Sequence, residues 1–294
     1  MEFELEFNQD GEIEEINGVS STGYIYPKKN DKIALIDADT IIFGACVQNE
    51  YMVEEDVGVG EVKFEEIWYL NIDNAFNHAL EKIKEILNYT GCKDFELHFT
   101  SGRESFRYTR VDEEYKANRL DSDKRTPAGL YELKRLFCAE YEDKAFMWKE
   151  WEADEIVVFK KVNHYDDYIL CAVDKDVLYT VPGTHFNYYS SKNYNIDMKF
   201  IEVDEFRAVR HHFVQTLTGD KGDNVIGLKG IGPAKAEKIL SNYTDTKVLW
   251  NKVVEAYEAA GRDEVDAIKN MRLVSMHQLV YNDNKEIEVK LWKM

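Results

Sequence analysis

The chain has 294 residues, 44% hydrophobic and 13% aromatic, enough to bury a sizeable core in one large domain or two smaller ones. A formal net charge of −19 excludes a surface that is basic throughout, so any contact with a phosphate backbone must fall on a local cluster of Lys and Arg. No eighteen apolar residues run together, no segment resembles a signal peptide, the four cysteines form no CxxC pair and the seven histidines form neither HxxxH nor HExxH. A soluble, intracellular protein without a membrane partner, a disulfide framework or zinc is therefore expected.

Residues 1–30 read as an acidic extension, with a hairpin around Asp10-Gly11 closed by the turn-like YPKKND. Strands and helices then alternate. KIALID (32–37) reads as a short apolar strand, and FNHALEKIKEILNYTG as a helix with Gly91 at its C-cap. FELHFT (95–100) is a second strand, KAFMWKEW (144–151) a third and YILCAV (168–173) a fourth, with ADEIVVFKKVNHY a helix between the last two. This order predicts an α/β fold, a mostly parallel sheet flanked by helices. Between the second and third strands Lys and Arg cluster: Arg103, Arg107, Arg110, Lys116, Arg119, Lys124, Arg125, Lys134 and Arg135. After residue 204 the pattern turns helical, which divides the body into 31–204 and 205–294.

In an open parallel sheet, ligands bind beyond the carboxyl ends of the strands. The first strand ends in Asp37-Ala38-Asp39, the third runs into Glu152-Ala153-Asp154-Glu155, and the fourth ends in Asp174-Lys175-Asp176. Asp220 and Asp223, in GDKGDN, come from the helical part. Two unit charges about 4 Å apart repel by about 4 kcal/mol at an effective dielectric near ~20, so carboxylates gathered in one crevice require a cation among them. Oxygen ligands without His or Cys suit Mg²⁺ or Mn²⁺, and separate carboxylate groups can hold two ions about 4 Å apart, the geometry of phosphoryl displacement. Each acid alone has a plainer use: Asp39 as a helix N-cap, Glu155 as a first-turn acid, any other as a turn residue. Alternation along a strand would turn Asp174 and Asp176 to one side and Lys175 away.

In EEYKANR, Lys116 and Arg119 stand three apart; a helix would put both on one face with Tyr115 beside them, able to grip a phosphate and stack a base. A solvated charged helix is the alternative. In VIGLKGIGPAKAEKIL (225–240), Gly230-Ile231-Gly232 precedes Pro233 at a helix start and Lys235 in its first turn. This reads as a helix–hairpin–helix whose glycines let backbone N–H groups approach a phosphodiester, or else as an ordinary interhelical turn.

LIDADTIIF, FRYTRVDEEYKANR, WEADEIVVF, AVDKDVLYT, GDKGDN and GLKGIGPAKAEKIL, in this order over residues 32–240, resemble the 5′ nuclease superfamily, and most of all phage 5′→3′ exonucleases and flap endonucleases. The resemblance implies a PIN-like α/β domain, a helical arch over about 101–137 that admits a single-stranded 5′ end, and a C-terminal helix–hairpin–helix that holds duplex DNA, often through K⁺. It implies Asp37, Glu152, Asp154 and Glu155 as one metal group and Asp174, Asp176, Asp220 and Asp223 as the other. Lys116 and Arg119 would contact the scissile phosphate, Tyr115 the unpaired base, and Gly230, Gly232 and Lys235 the duplex; Arg103 and Arg107 are further candidate DNA contacts. The implied activity is hydrolysis of phosphodiesters near free 5′ ends of DNA, or of RNA primers in RNA–DNA hybrids, during phage replication. A monomer inside the infected cell, working beside replication proteins, is expected.

One departure stands out: Thr100 or Ser101 falls where many members carry an Asp after the second strand, with Glu104 the nearest acid and Asp39 available as support. It opens an alternative, a DNA-structure-binding protein with weak or lost catalysis. Glu155, where Asp is frequent, keeps the charge on a longer arm. A PIN-type ribonuclease acting on single-stranded RNA is a third reading, against which the helix–hairpin–helix pattern stands.

Overall fold

A computed structural model describes residues 27–58, 64–119, 125–190 and 198–294. The expected hairpin around Asp10-Gly11 and the side chain of Lys124 lie outside the described residues. In chain order the elements are β1 (Asn30–Asp37), α1 (Asp39–Asn49), β2 (Glu50–Asp56), β3 (Phe64–Leu70), α2 (Ile72–Thr90), β4 (Cys92–Thr100), α3 (Leu130–Glu140), β5 (Ala145–Trp148), α4 (Ala153–Asn163) and β6 (Tyr168–Ala172). Then come α5 (Lys175–Leu178), β7 (Gly183–Asn187), β8 (Lys199–Val203), α6 (Glu205–Thr218), the two-residue strands β9 (Gly219–Asp220) and β10 (Val225–Ile226), α7 (Pro233–Leu240), α8 (Thr246–Ala259), α9 (Glu264–Val274), β11 (Leu279–Tyr281) and β12 (Ile287–Val289).

Six strands form one sheet in the order β5-β4-β1-β6-β7-β8, parallel except for the final β7–β8 pair. The chain builds outward from β1 through β4 to β5, then returns to the other side of β1 with β6. Such a reversal of order opens a crevice at the carboxyl ends of the central strands. Alternation along β1 divides the core: Ala34 and Ile36 face α1, α2 and α3 with Ile41, Ile83 and Phe137, whereas Leu35 faces α4 and α5 with Val157, Val158 and Leu178. Both faces are covered, so β1 and β6 are apolar along their middles, IALI and ILCA. Helix α2 ends where Gly91 takes a left-handed φ of 68°, as its sequence requires. Helices α6 to α9 share a separate core around Phe213, Leu217, Trp250, Tyr257 and Met271. Among the described residues no helix is long and apolar enough to cross a membrane.

One element is unforeseen and one expectation needs correction. The sequence gives no sign of the β2–β3 hairpin, because EYMVEED and FEEIWYL lack the apolar–polar alternation that marks a half-buried strand. Between β4 and α3 the described residues hold one π-helical turn (Arg107–Val111) and one 3₁₀ turn (Ala117–Arg119) rather than one continuous helix. Lys116 stands between them at φ 59°, a left-handed conformation that no helix accommodates, so Lys116 and Arg119 do not share a helix face.

Candidate active site

The strand ends deliver their acids to one cavity of about 530 Å³, lined by Asp37, Asp39, Glu152, Asp154, Asp174 and Asp223 together with Arg103, Tyr115, Lys116 and Arg119. Asp37 closes β1, and Asp39 opens α1 with its carboxylate turned back across the sheet, where the Thr100 backbone N–H donates to both oxygens at 3.1 and 3.2 Å. Asp39 is thus not the N-cap, which is Ala38. Glu152 is the N-cap of α4, its own N–H donating to Glu155 at 3.0 Å in a capping box. Thr100 ties β4 to this helix start by accepting the Ala153 N–H on its hydroxyl at 3.0 Å. Asp174 does not lie on a strand as expected: β6 ends at Ala172, and Asp174 caps α5 by accepting the Asp176 N–H at 2.8 Å.

The GDKGDN loop brings Asp223 to the opposite rim. At its base the backbones of Gly219 and Gly227 pass so closely that a Cβ on Gly219 would lie 2.2 Å from the Gly227 nitrogen, and Gly219 takes φ 70°. The loop is stitched to the basic segment by the Lys116 N–H on the Asp223 carbonyl (2.9 Å), by the Asn118 amide on the Lys221 carbonyl (2.8 Å) and by the Asn224 amide on the Glu114 carbonyl (2.8 Å). This clamp holds Lys116 in its left-handed conformation, with Nζ 2.5 Å from Glu152 and 3.7 Å from Asp223. Arg119 reaches Asp223 at 2.5 Å. The Tyr115 hydroxyl lies 3.0 Å from Glu152 and 2.9 Å from Asp223 and can donate to one at a time.

The charges are unbalanced. Burial, then the neighbouring charges of Asp39 and Asp174, push the Asp37 carboxyl up to about 7. Burial and Glu152 push Asp154 well above the ordinary carboxylate range, and burial and Asp176 raise Asp174. Burial acts on Glu152 in the same direction, yet Lys116 and Arg107 outweigh it and hold this carboxyl low. Carboxylates therefore crowd the cavity beyond what its cations neutralise, and like charges this close cannot all ionise without a further positive group. Hard oxygen donors with no nitrogen or sulfur among them match Mg²⁺ or Mn²⁺. Oxygens of Glu152, Asp154 and Glu155 all lie within 4.8 Å of one another, close enough for one ion.

Not every expected site residue reaches the cavity. Glu155 is 1% exposed and spends its carboxylate on the Arg107 guanidinium and the Glu152 N–H, so it braces Glu152 from behind. Arg107, expected on DNA, is wholly buried and also donates to the Ser275 carbonyl at 2.8 Å, which puts it out of reach of any phosphate. Tyr115, expected under a base, is 5% exposed, and its ring lies against the Arg107 and Lys116 cations. Asp176 turns away to His211 at 3.0 Å; burial raises its carboxyl, but the hydrogen bond and charge of His211, with Lys175 and Gln215, together outweigh it and the net shift is downward. Asp220 accepts the Gly222 N–H at 2.7 Å and lines a neighbouring cavity of about 860 Å³ with Gly230 and Gly232. There Gly230 takes φ 75°, Gly232 caps α7, and Lys235 is exposed. Arg103 is exposed at the rim of the acid cavity.

One contributor escaped the sequence reading. Lys134, 5% exposed, donates to the Thr100 carbonyl at 2.8 Å and pairs with Asp39 at 2.7 Å. The signal was available: Lys134 sits beside Leu133 and three residues before Phe137, on the apolar side of α3.

No protein-family model matches the chain. Over 194 residues it is 25% identical to a DNA polymerase I of Caldicellulosiruptor bescii, a match covering 61% of this chain and 22% of that one. It is 26% identical over 192 residues to a 5′-3′ exonuclease of Buchnera aphidicola subsp. Schizaphis graminum, covering 62% of this chain and 65% of the relative. The matched region thus spans about a fifth of the polymerase and just under two thirds of the exonuclease. Among solved structures, a bacteriophage T5 flap endonuclease in complex with DNA and metal ions superimposes with a TM-score of 0.53 at 18% identity, covering 68% of this chain and 80% of that one. The T5 protein crystallised with metal ions gives 0.55 at 16% identity, over 83% and 89%. At such identities the structural likeness speaks for the fold.

Proposed function

We propose that this chain, which resembles the 5′ nuclease superfamily in sequence and shares its α/β fold, is a divalent-metal-dependent 5′→3′ exonuclease or flap endonuclease acting on DNA with a free 5′ end. One observation carries the reading: five expected acids, Asp37, Glu152, Asp154, Asp174 and Asp223, meet in a single cavity at the carboxyl ends of the strands, with Lys116 and Arg119 on its rim. Bound there by these carboxylates, one or two Mg²⁺ or Mn²⁺ ions would neutralise phosphoryl charge and activate water. With a metal on Glu152 and Asp223, the Lys116 ammonium and the Arg119 guanidinium would turn toward the phosphoryl oxygens, where charge develops as the bond breaks. Tyr115, between Glu152 and Asp223, positions both acids. The exposed glycine turn at Gly230–Gly232 and Lys235 would track the duplex backbone without reading sequence, with K⁺ as a bridging ion. The division into 31–204 for chemistry and 205–294 for duplex binding belongs to the same proposal, as do action on RNA primers in hybrids, a phage source, replication partners and a monomeric state.

A DNA-structure binder without catalysis is the second reading, favoured by Thr100 at the end of β4, where an acid would complete the site. Incubating 5′-labelled flap, nicked and RNA-primed duplexes with Mg²⁺, Mn²⁺ or EDTA separates the two. Metal-dependent release of 5′-phosphorylated fragments supports the nuclease; tight flap binding with no cleavage under any metal supports the binder.

A further inference from the structure

The β2–β3 hairpin is unused by the proposed chemistry. Its strands are hydrogen-bonded to each other and belong to no larger sheet among the described residues. An isolated two-stranded hairpin is marginal in water, so a face left open invites a cover. The strand sequences hold four acids in Glu50–Asp56 and two in Phe64–Leu70, with no Lys or Arg. The register sets Glu54 directly opposite Glu66 and Glu55 opposite Glu65, pairings that cost stability. Apolar groups stay exposed between them, Phe64 at 63%, Tyr51 at 53%, Met52 at 41% and Trp68 at 39%.

The molecule itself displays what this surface accepts. At the base of the face that carries Met52, Glu54, Phe64, Glu66 and Trp68, the Arg125 guanidinium lies 4.0 Å from the centre of the Trp68 ring and 2.6 Å from Glu50. A cation stacked on an aromatic and paired with a carboxylate is an attractive combination. Farther out on the same face, Phe64 and Met52 with Glu54 and Glu66 repeat the ingredients, while the strands provide no cation of their own. Phosphate is repelled here, and a second copy would set acid against acid. We propose that this outer face docks a basic protein segment, with Arg or Lys alternating with apolar side chains, in the manner of Arg125. Glu50 also accepts the Ala128 N–H at 2.9 Å, so the docked partner sits against the segment that leads from the basic cluster into α3.

The test titrates the full chain with four labelled probes, read by fluorescence anisotropy and by amide hydrogen exchange. These are ten-residue peptides alternating Arg with Leu, Arg with Ser and Glu with Leu, and a ten-nucleotide single-stranded DNA. The Arg–Leu peptide is expected to bind saturably, at least tenfold tighter than the other three, and to protect amides of 50–56 and 64–70. Glu54→Lys with Glu66→Lys should weaken it at least tenfold. Glu54→Lys alone, which sets an opposite charge against Glu66 and so preserves the hairpin, should weaken it too, with a thermal midpoint no lower than that of the wild type and flap cleavage unchanged. Equal binding of the Arg–Ser peptide, protection elsewhere, or unchanged affinity in the variants overturns the proposal. So does a concentration-dependent dimer that the same variants abolish, which would give the face to a second copy. Because the readout is peptide binding, a wild type that cleaves nothing leaves this test standing on its own.

Discussion

The carboxylates of the crevice and those of the β2–β3 hairpin are the same chemical groups in opposite surroundings. In the crevice they are withdrawn from water and converge from separate strands, so Asp37 is held near 7 and each ionised neighbour needs a cation within reach. On the hairpin Glu54 and Glu66 stand in solvent and face each other at modest expense. A count of acids alone does not distinguish the two settings; burial does, and burial follows from which segments close the sheet. The buried set calls for a small, hard cation, and the exposed set can be satisfied by a flexible basic chain.

Perturbing the balance of the crevice should have large effects, and perturbing the hairpin small ones. Arg107→Leu removes the cation behind Glu155 and Glu152 and leaves the buried Glu155 carboxylate with no cation beside it; it should lower the stability to urea by about 3–5 kcal/mol, as breaking a fully buried pair does. An unchanged urea midpoint would show that this pair is not a keystone. A smaller effect is expected from pH without metal. The Asp37 carboxyl is pushed up to about 7 in the folded chain from its ordinary value of 3.8, so its contribution is complete below about pH 4 and is lost as pH rises through 7. The thermal midpoint of the metal-free protein should fall over that window, and Mg²⁺ at pH 7.5 should restore it; a midpoint that rises steadily from pH 4 to 7 would contradict the account. The smallest effect belongs to Glu54→Gln, which relieves the cross-strand repulsion and should add about 0.2–1 kcal/mol or less with no change in flap cleavage. A large loss of cleavage in this variant would erase the distinction between the two acidic regions.

The central strands and the acids at their ends were legible because both obey local rules: apolar runs for a sheet covered on both faces, and carboxylates where such strands stop. Asp37, Glu152, Asp154 and Asp174 followed from that logic, and Asp223 from the acidic GDKGDN stretch of the helical part. The misreadings share a cause. Arg107 and Tyr115 were placed by their type in a basic stretch, but burial against Glu152, Ser275 and Asp223 is decided by segments 45 to 168 residues away. Asp176 and Asp174 were placed by strand alternation that ends at Ala172, two residues too early. Lys116 was read on a helix because its spacing to Arg119 suited one; the contact of its N–H with Asp223 fixes a left-handed turn instead, and no local pattern announces it. The hairpin was missed because solvent on both faces leaves no periodicity to read.

Single-turnover cleavage of a 5′-flap substrate by Asp174→Asn tests the central claim most directly. This substitution keeps the size of the side chain and an oxygen able to cap α5 while removing one charge from the crevice. With Mg²⁺ the rate should fall by about 10²–10³, the scale set by losing one electrostatic group of an active site, while flap affinity measured in EDTA stays within about twofold of the wild type. Cleavage at the wild-type rate, or a loss of flap binding that matches the loss of cleavage, would contradict the assignment of this crevice as the catalytic metal site.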